Sequence, residues 1–175
     1  MVEKIKAENF AVYRKENEFS AWPRNCGVYK YKNDEIIVGF LTRTCYYKTR
    51  EEVAHGYSPA DCSSRIVQMR SKDGGETWDE PKKIIPSMNL GYSTLEQVSF
   101  LEPKEFDFKN PDFMFIAIKN QVFFSQDRGH NIYGPCRLPT FGYDTIWPRP
   151  DYVIRDDGAL ILFGTVNCSD GKEGK

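Results

Sequence analysis

The stretch Ser71-Lys72-Asp73-Gly74-Gly75-Glu76-Thr77-Trp78 decides the fold of this 175-residue chain, because its pattern S-x-D-x-G-x-T-W is typical of a tight turn between two β-strands. The aspartate can accept hydrogen bonds from backbone N–H groups of the turn, and a glycine tolerates positive φ. The tryptophan can then pack back between the strands. We therefore predict a hairpin here, with structural roles for Ser71, Asp73, Gly75, Thr77 and Trp78.

A weaker copy of the pattern begins at Ser125 and keeps Ser125, Asp127 and Gly129. Elsewhere the apolar residues come in short runs, which Gly, Pro, Asn and Asp interrupt before a long helix could form. Short polar links join these runs, as expected for antiparallel hairpins. The sequence thus predicts an all-β chain.

Two further segments resemble each other without a gap: the hairpin that starts at Trp22 and the hairpin that starts at Trp147. Both begin Trp-Pro-Arg, and the alignment pairs Arg24 with Arg149, Ile36 with Ile161 and Gly39 with Gly164. A repeated hairpin with a second, more apolar strand indicates an architecture built from repeated β units.

The sequence SKDGGETW resembles the Asp-box of the sialidase (BNR-repeat) superfamily, and the resemblance extends from about Trp22 to the end of the chain. It implies a β-propeller of four-stranded antiparallel blades. The whole chain, 1–175, would be part of one propeller domain, with blade one at about 22–86, blade two at about 92–140 and blade three beginning at about 147.

About two and a half blades are fewer than the four to eight of closed propellers, so we expect the chain to be the N-terminal portion of a longer protein. The remainder of the propeller, or another protomer, would then cover its free sheet faces. In this scheme Phe10–Tyr13 is expected to be an outer strand and Gln97–Glu102 the inner strand of blade two.

Alternate loops of an antiparallel meander lie at the same end of the strands. Several charged residues are therefore expected at one end of the propeller, which we call the mouth. Arg24 precedes the first blade strand, Arg43 follows the second, and Glu96 begins the next blade. Two guanidinium groups beside one opening can clamp a carboxylate through paired, charge-assisted hydrogen bonds. We therefore predict substrate-binding roles for Arg24, Arg43 and Glu96.

The resemblance to sialidases implies a glycoside hydrolase of the exo-sialidase type acting on an acidic sugar. By that resemblance Arg24 would bind the substrate carboxylate, Arg43 would assist at the adjoining ring, and Asp61 would be the general acid/base. The nucleophile and the remaining arginines would lie beyond Lys175.

Alternatives stay open at this point. His55 and Tyr57, in the same segment as Asp61, could move protons in a polysaccharide lyase or another glycosidase on the same fold. Arg24 and Arg149 share a repeat position, which also suits a structural role. A non-catalytic BNR propeller used for binding or assembly is a third possibility, since fold does not determine function.

Composition excludes several other classes. The net charge of −1 and the pI of about 6.2 argue against nucleic-acid and anionic-membrane partners. Carbohydrate is the ligand that the resemblance to sialidases implies. The charged start MVEKIKAENF lacks the apolar core of a signal peptide, so we expect a cytoplasmic protein if Met1 is the native start. Five scattered cysteines and two histidines predict free thiols, no metal site and no cofactor.

Overall fold

The computed structural model describes residues 7–21, 27–45, 49, 52, 64–84 and 99–167. These ranges contain ten β-strands, all paired antiparallel in three sheets, and no α-helix. The prediction of an all-β antiparallel chain is confirmed. Within the same ranges no helix is long and apolar enough to cross a membrane.

Sheet one contains the first five strands, β1 (Glu18–Ala21), β2 (Val28–Lys30), β3 (Ile36–Thr44), β4 (Ser64–Ser71) and β5 (Lys82–Lys83). Strand β3 pairs along one edge with β4. Its other edge pairs with β2 near its start, where Val38 lies opposite Val28, and with β1 near its end, where Leu41 lies opposite Ala21. Strands β1 and β2 therefore share one edge of sheet one.

Sheet two contains β6 (Met114–Ile118), β7 (Gln121–Ser125) and β8 (Tyr133–Arg137) in that order. Sheet three is the hairpin of β9 (Thr145–Ile154) and β10 (Leu160–Asn167), with an irregularity between Leu162 and Gly164. Each hairpin link between neighbouring strands of these two sheets is short, as the sequence predicts.

The three sheets stack through two apolar interfaces, with sheet two in the middle. Successive side chains of a strand point to opposite faces. Met114, Ile116 and Ile118 of β6 accordingly pack toward sheet one, whereas Phe115 and Ala117 join the cluster that packs on sheet three. Sheet one supplies Tyr29, Tyr31, Ile37, Ile66 and Ile84 to the first interface, and sheet three supplies Tyr152, Ile154, Leu160 and Leu162 to the second. This double burial explains why every residue of β6 and β7 is buried.

Two predicted strands differ from the structure. Phe10–Tyr13 forms no strand; Val12 and Tyr13 instead pack on a cluster of Phe40, Val67 and Met69 on the outer face of sheet one. Residues 99–102 form no inner strand: the Leu101 N–H donates to the Pro135 carbonyl at 2.8 Å, which attaches this segment to β8. In the first segment, tertiary packing of Val12 and Tyr13 overrides the local strand pattern. The second segment is held by this backbone bridge, with Leu101 exposed.

The alignment of the two repeated hairpins is shifted by one residue in the structure. The Tyr31 N–H donates to Glu35 O at 2.8 Å, and the Arg155 N–H donates to Ala159 O at 2.9 Å, so these two turns are equivalent. Asp34 (φ 61°) takes the left-handed position that Gly158 (φ 87°) takes in the other turn. The ungapped pairing of Ile36 with Ile161 and of Gly39 with Gly164 is therefore wrong at the hairpin.

This shift matters because moving the alignment by one residue assigns each side chain to the opposite face of the sheet. In the corrected alignment Tyr29 and Ile37, which face sheet two, correspond to Val153 and Ile161. Val153, Ile161 and Phe163 are 49%, 40% and 53% exposed. The free face of sheet three is thus equivalent to the face of sheet one that sheet two covers.

We expect this apolar face to make the 175-residue chain self-associate, because large exposed apolar patches seek partners. Sedimentation velocity should show a sedimentation coefficient that rises with protein concentration. Ile161→Lys combined with Phe163→Lys should return the chain toward the monomer. Phe141→Lys, at a residue that is 83% exposed in a loop, serves as the control and should associate like the parent. A parent chain that stays monomeric at every concentration would contradict the expectation.

Candidate functional site

The first S-x-D-x-G-x-T-W turn joins β4 to β5 and is closed by hydrogen bonds from its signature side chains. Ser71 Oγ accepts the Gly75 N–H at 2.8 Å and donates to Asp73 Oδ1 at 2.7 Å. Asp73 also accepts the Thr77 N–H at 2.9 Å and the Thr77 hydroxyl at 2.5 Å, and these bonds lower the pKa of Asp73 to about 2. Trp78 Nε1 donates to Gly75 O at 2.9 Å. These hydrogen bonds close the turn through its own side chains.

The second turn, between β7 and β8, repeats this geometry despite its weaker sequence match. Ser125 Oγ accepts the Gly129 N–H at 2.8 Å and donates to Asp127 Oδ1 at 2.7 Å. Asn131 takes the place of Thr77, and its N–H and Nδ2 donate to Asp127 at 2.9 and 2.5 Å. Sequence comparison alone missed Asn131, because an amide replaces the hydroxyl as the second donor.

The buried serine of each turn should contribute measurably to stability. Ser125 is 2% exposed, and Ser125→Ala would leave the buried Gly129 N–H without its acceptor. We expect the free energy of unfolding to fall by about 1–3 kcal/mol, measured by urea denaturation. Ser20→Ala, on an exposed strand residue, should change it by less than about 0.5 kcal/mol. Equal effects of the two substitutions would contradict the proposed role.

A buried carboxylate connects sheet one to the second turn across the interface of sheets one and two. Glu35, 6% exposed, forms an ion pair with Arg70 of its own sheet, and its other oxygen lies 2.7 Å from Arg128 Nη1 in the second turn. Arg128 Nε also lies 2.6 Å from Asp112 Oδ1, and its guanidinium lies over the Tyr31 ring at 5.1 Å. Arg128 therefore connects sheet two to sheet one.

Burial on its own raises the pKa of Glu35, but hydrogen bonds from Arg128 and Arg70 outweigh it and lower the pKa from 4.5 to about 2. The unfolded chain therefore binds a proton at Glu35 at a higher pH than the folded chain. Acid favours unfolding as a result. The contribution of Glu35 to stability is complete above pH 4.5 and is lost as the pH falls toward 2.

Glu35→Gln should show this dependence directly. At neutral pH the variant should lose about 3–5 kcal/mol, because Arg70 remains buried without its partner. Between pH 7 and pH 2 its free energy of unfolding should fall by about 3 kcal/mol less than that of the parent. Urea denaturation at stepped pH measures both effects. The control Glu76→Gln, at an exposed residue, should have the same pH dependence of the free energy of unfolding as the parent. The same pH dependence in Glu35→Gln and the parent would refute the role given to Glu35.

The predicted mouth lies at the opposite end of sheet one from the first turn. Ile36, at the start of β3, pairs with Ser71, whereas Arg43 pairs with Ser64. Seven residues of extended strand separate these positions by roughly 24 Å. The predicted separation of Arg43 from the turn is confirmed, although Arg43 lies within β3 rather than just after the strand.

Arg43 is held at that end in a buried position. It is 7% exposed, and its guanidinium carbon lies 5.0 Å from the centre of the Phe19 ring on the neighbouring β1. By alternation along β3, Arg43 lies on the same face as Ile37, the face that packs on sheet two. An arginine in this position offers a positive charge inside the stack rather than on its outer surface.

A second ionic cluster lies at the same end on the other face of sheet one. Glu18 accepts hydrogen bonds from Tyr13 at 2.7 Å, from Thr42 at 3.0 Å and from Arg65 at 2.7 Å. Burial raises the pKa of Glu18, but these donors lower it to about 2. Sequence reasoning missed this cluster, because its members come from separate segments and share no motif.

Several predicted site residues lie outside the described ranges. They are Arg24, His55, Tyr57, Asp61 and Glu96. Arg149 is described, and its Nη2 donates to the Thr165 hydroxyl at 3.3 Å. Cys45 and Cys136 are buried, and burial raises the pKa of Cys136. No group of three or more potential metal ligands occurs among the residues that the structure describes.

Comparison with known proteins adds no relative. The chain matches no protein-family model, no curated protein and no solved structure.

Proposed function

We propose that the chain is part of a sialidase-like β-propeller and of a carbohydrate-active enzyme, a glycoside hydrolase that acts on an acidic sugar. One observation carries the proposal. Two consecutive sheets contain the same Ser-Asp-Gly turn after equivalent strands, and a buried arginine, Arg43, lies at the end of sheet one opposite its turn.

The stacking of the sheets supports a propeller over other repeated β architectures. Each sheet places one apolar face against the next, and the free face of sheet three is equivalent to the covered face of sheet one. A radial stack of this kind continues until its sheets close on themselves. The described sheets would be blade one, part of blade two and the first hairpin of blade three.

The location of Arg43 supports an anionic substrate. A guanidinium can give two parallel hydrogen bonds to a carboxylate, and such bonds are stronger where water is excluded. Strand β3 ends at Thr44 and β4 begins at Ser64, so the segment that contains Asp61 is attached at the end where Arg43 lies. In this proposal Arg24 and Arg43 bind the carboxylate, and Asp61 protonates the glycosidic oxygen.

A non-catalytic binding or assembly propeller is the second candidate. The observation that favours it is also at Arg43, since burial to 7% exposure beneath the Phe19 ring is equally suited to an arginine that holds strands together. The two functions differ in whether Asp61 contributes to turnover.

Ligand binding tests the carboxylate site first. Isothermal titration with N-acetylneuraminic acid, glucuronate and galactose should show binding of the acidic sugars only. Arg43→Lys should weaken it by roughly 10- to 100-fold, since a hydrogen bond to a charged group is worth about 1.5–3 kcal/mol. Arg155→Lys is the matched control. Arg155 is exposed and paired with Asp157 in the turn of sheet three, which is equivalent to the Tyr31 turn and not to the end where Arg43 lies. Equal binding of galactose, or no effect of Arg43→Lys, would contradict the proposal.

Turnover by the complete protein then separates the candidates. Loss of sialoside hydrolysis in Asp61→Asn with little change in affinity supports the hydrolase. Loss of uronate-polysaccharide cleavage in His55→Ala or Tyr57→Phe supports the lyase alternative. Binding of acidic sugars without any turnover supports the non-catalytic propeller.

A further inference from the structure

The stack of three sheets ends in two sheet faces, and both expose apolar side chains to solvent. One is the free face of sheet three, with Val153, Ile161 and Phe163. The other is the outer face of sheet one, where Val28 is 64% exposed and lies opposite Val38. No further sheet covers either face among the described residues. Apolar side chains exposed in this way are typical of interaction surfaces.

The outer face of sheet one is equivalent to the face of sheet three that packs on sheet two. Val28 pairs with Val38 in sheet one, and Tyr152 pairs with Leu162 in sheet three. The equivalent turns that follow β2 and β9 put these two pairs at the same place in each hairpin. Tyr152 and Leu162 pack on the apolar cluster of sheet two. The outer face of sheet one therefore has the kind of surface that packs on a preceding sheet.

The free face of sheet three is equivalent in the same way to the covered face of sheet one. Val153 pairs with Ile161 at the place where Tyr29 pairs with Ile37. Tyr29 and Ile37 pack toward sheet two. The free face of sheet three therefore has the kind of surface that packs on a following sheet.

Sheet two uses its two faces by the same rule. Phe123, two residues before Ser125, packs toward sheet one, and Met69, two residues before Ser71, lies on the outer face of sheet one. Both interfaces within the chain thus join the following-sheet face of one sheet to the preceding-sheet face of the next. The two ends of the stack present one face of each kind, so they are complementary.

The N-terminal segment covers only part of the outer face of sheet one. Val12 and Tyr13 pack on the cluster around Phe40, with the rings of Tyr13 and Phe40 5.3 Å apart. Phe40 lies toward the end of β3 that pairs with β1. Val28, at the end that pairs with β2, stays exposed. The strip beside β2 is therefore accessible to another molecule.

We propose that a second copy of this chain docks head to tail, with the free face of its sheet three on the outer face of sheet one. Ile161 and Phe163 of one copy then lie against Val28 and Val38 of the other. Such an interface is heterologous, because each partner contributes a different surface. Two copies of three sheets each supply six sheets, within the four to eight that close into a propeller. The proposal depends on the stacking of the sheets and not on the proposed enzymatic activity, which the sugar titrations and turnover test separately.

Two double variants of the 175-residue chain each block one face. Ile161→Lys combined with Phe163→Lys blocks sheet three, and Val28→Lys combined with Val38→Lys blocks the outer face of sheet one. An ammonium group buried without a partner is unfavourable. We expect the parent to form a dimer in sedimentation velocity. Each double variant alone should be monomeric, with the dissociation constant of self-association raised by about 100-fold or more.

An equimolar mixture of the two double variants is the decisive measurement. Each variant keeps the face that the other has lost, so the mixture should form a complex of one copy of each and nothing larger. Its affinity should be close to that of the parent. If sheet three instead packed on sheet three of the second copy, the Val28/Val38 variant alone would still dimerise and the mixture would contain no mixed complex.

Phe141→Lys combined with Tyr143→Lys is the matched control, since it adds the same charge at exposed residues outside both faces. Its self-association should differ from that of the parent by about two-fold at most. Circular dichroism and thermal melting check the fold of each variant. If the Val28/Val38 variant does not fold, Val28→Lys alone replaces it, because Val28 is exposed. The proposal is overturned if the parent stays monomeric, if the variant at Val28 associates like the parent, or if the mixture stays monomeric.

Discussion

The burial of sheet two on both faces is the constraint on which the rest of the structure depends. Strands β6 and β7 are apolar at successive positions, so neither face of this sheet can be left in water. Sheet one covers one face and the third hairpin covers the other. The polar turns then have to lie at the ends of the strands, where their side chains close them without competing for the core.

The two closed turns and the buried Glu35 act together. Each turn satisfies its own backbone through a serine and an aspartate, which leaves its fourth residue available for other contacts. In the second turn this residue is Arg128, which extends to Glu35 in the neighbouring sheet. The same short motif thus forms a hairpin within one sheet and an ionic connection between two sheets.

The sequence predicted those strands and turns that carry a local signature. The prediction failed where contacts between residues distant in sequence determine the structure. The turns at Ser71 and Ser125 were predictable, because every group that closes them lies within a few residues. Strand β1 was not, since Glu18–Ala21 is short and is held by β3 and by the Glu18 cluster. The hairpin alignment was wrong by one residue, because Asp34 adopts a conformation that sequence comparison assigns to glycine.

For the candidate site, the sequence predicted the charged residue and the end of the sheet at which it lies, but not its surroundings. The order of the strands placed Arg43 at the end opposite the first turn, which the pairing of β3 with β4 confirms. Its burial beneath Phe19 was not predictable, since the residues that cover it come from another strand.

The layered arrangement also has a consequence for cooperativity. Because the interfaces join mainly neighbouring layers, with Tyr152 of sheet three as a shared contact, the free energy of folding can be treated to a first approximation as a sum of layer terms and nearest-neighbour coupling terms, as in linear repeat proteins. The middle layer has two couplings and the outer layers have one each among the described residues. Local opening should therefore begin in an outer layer, and the amides of β6 and β7 should exchange with solvent last.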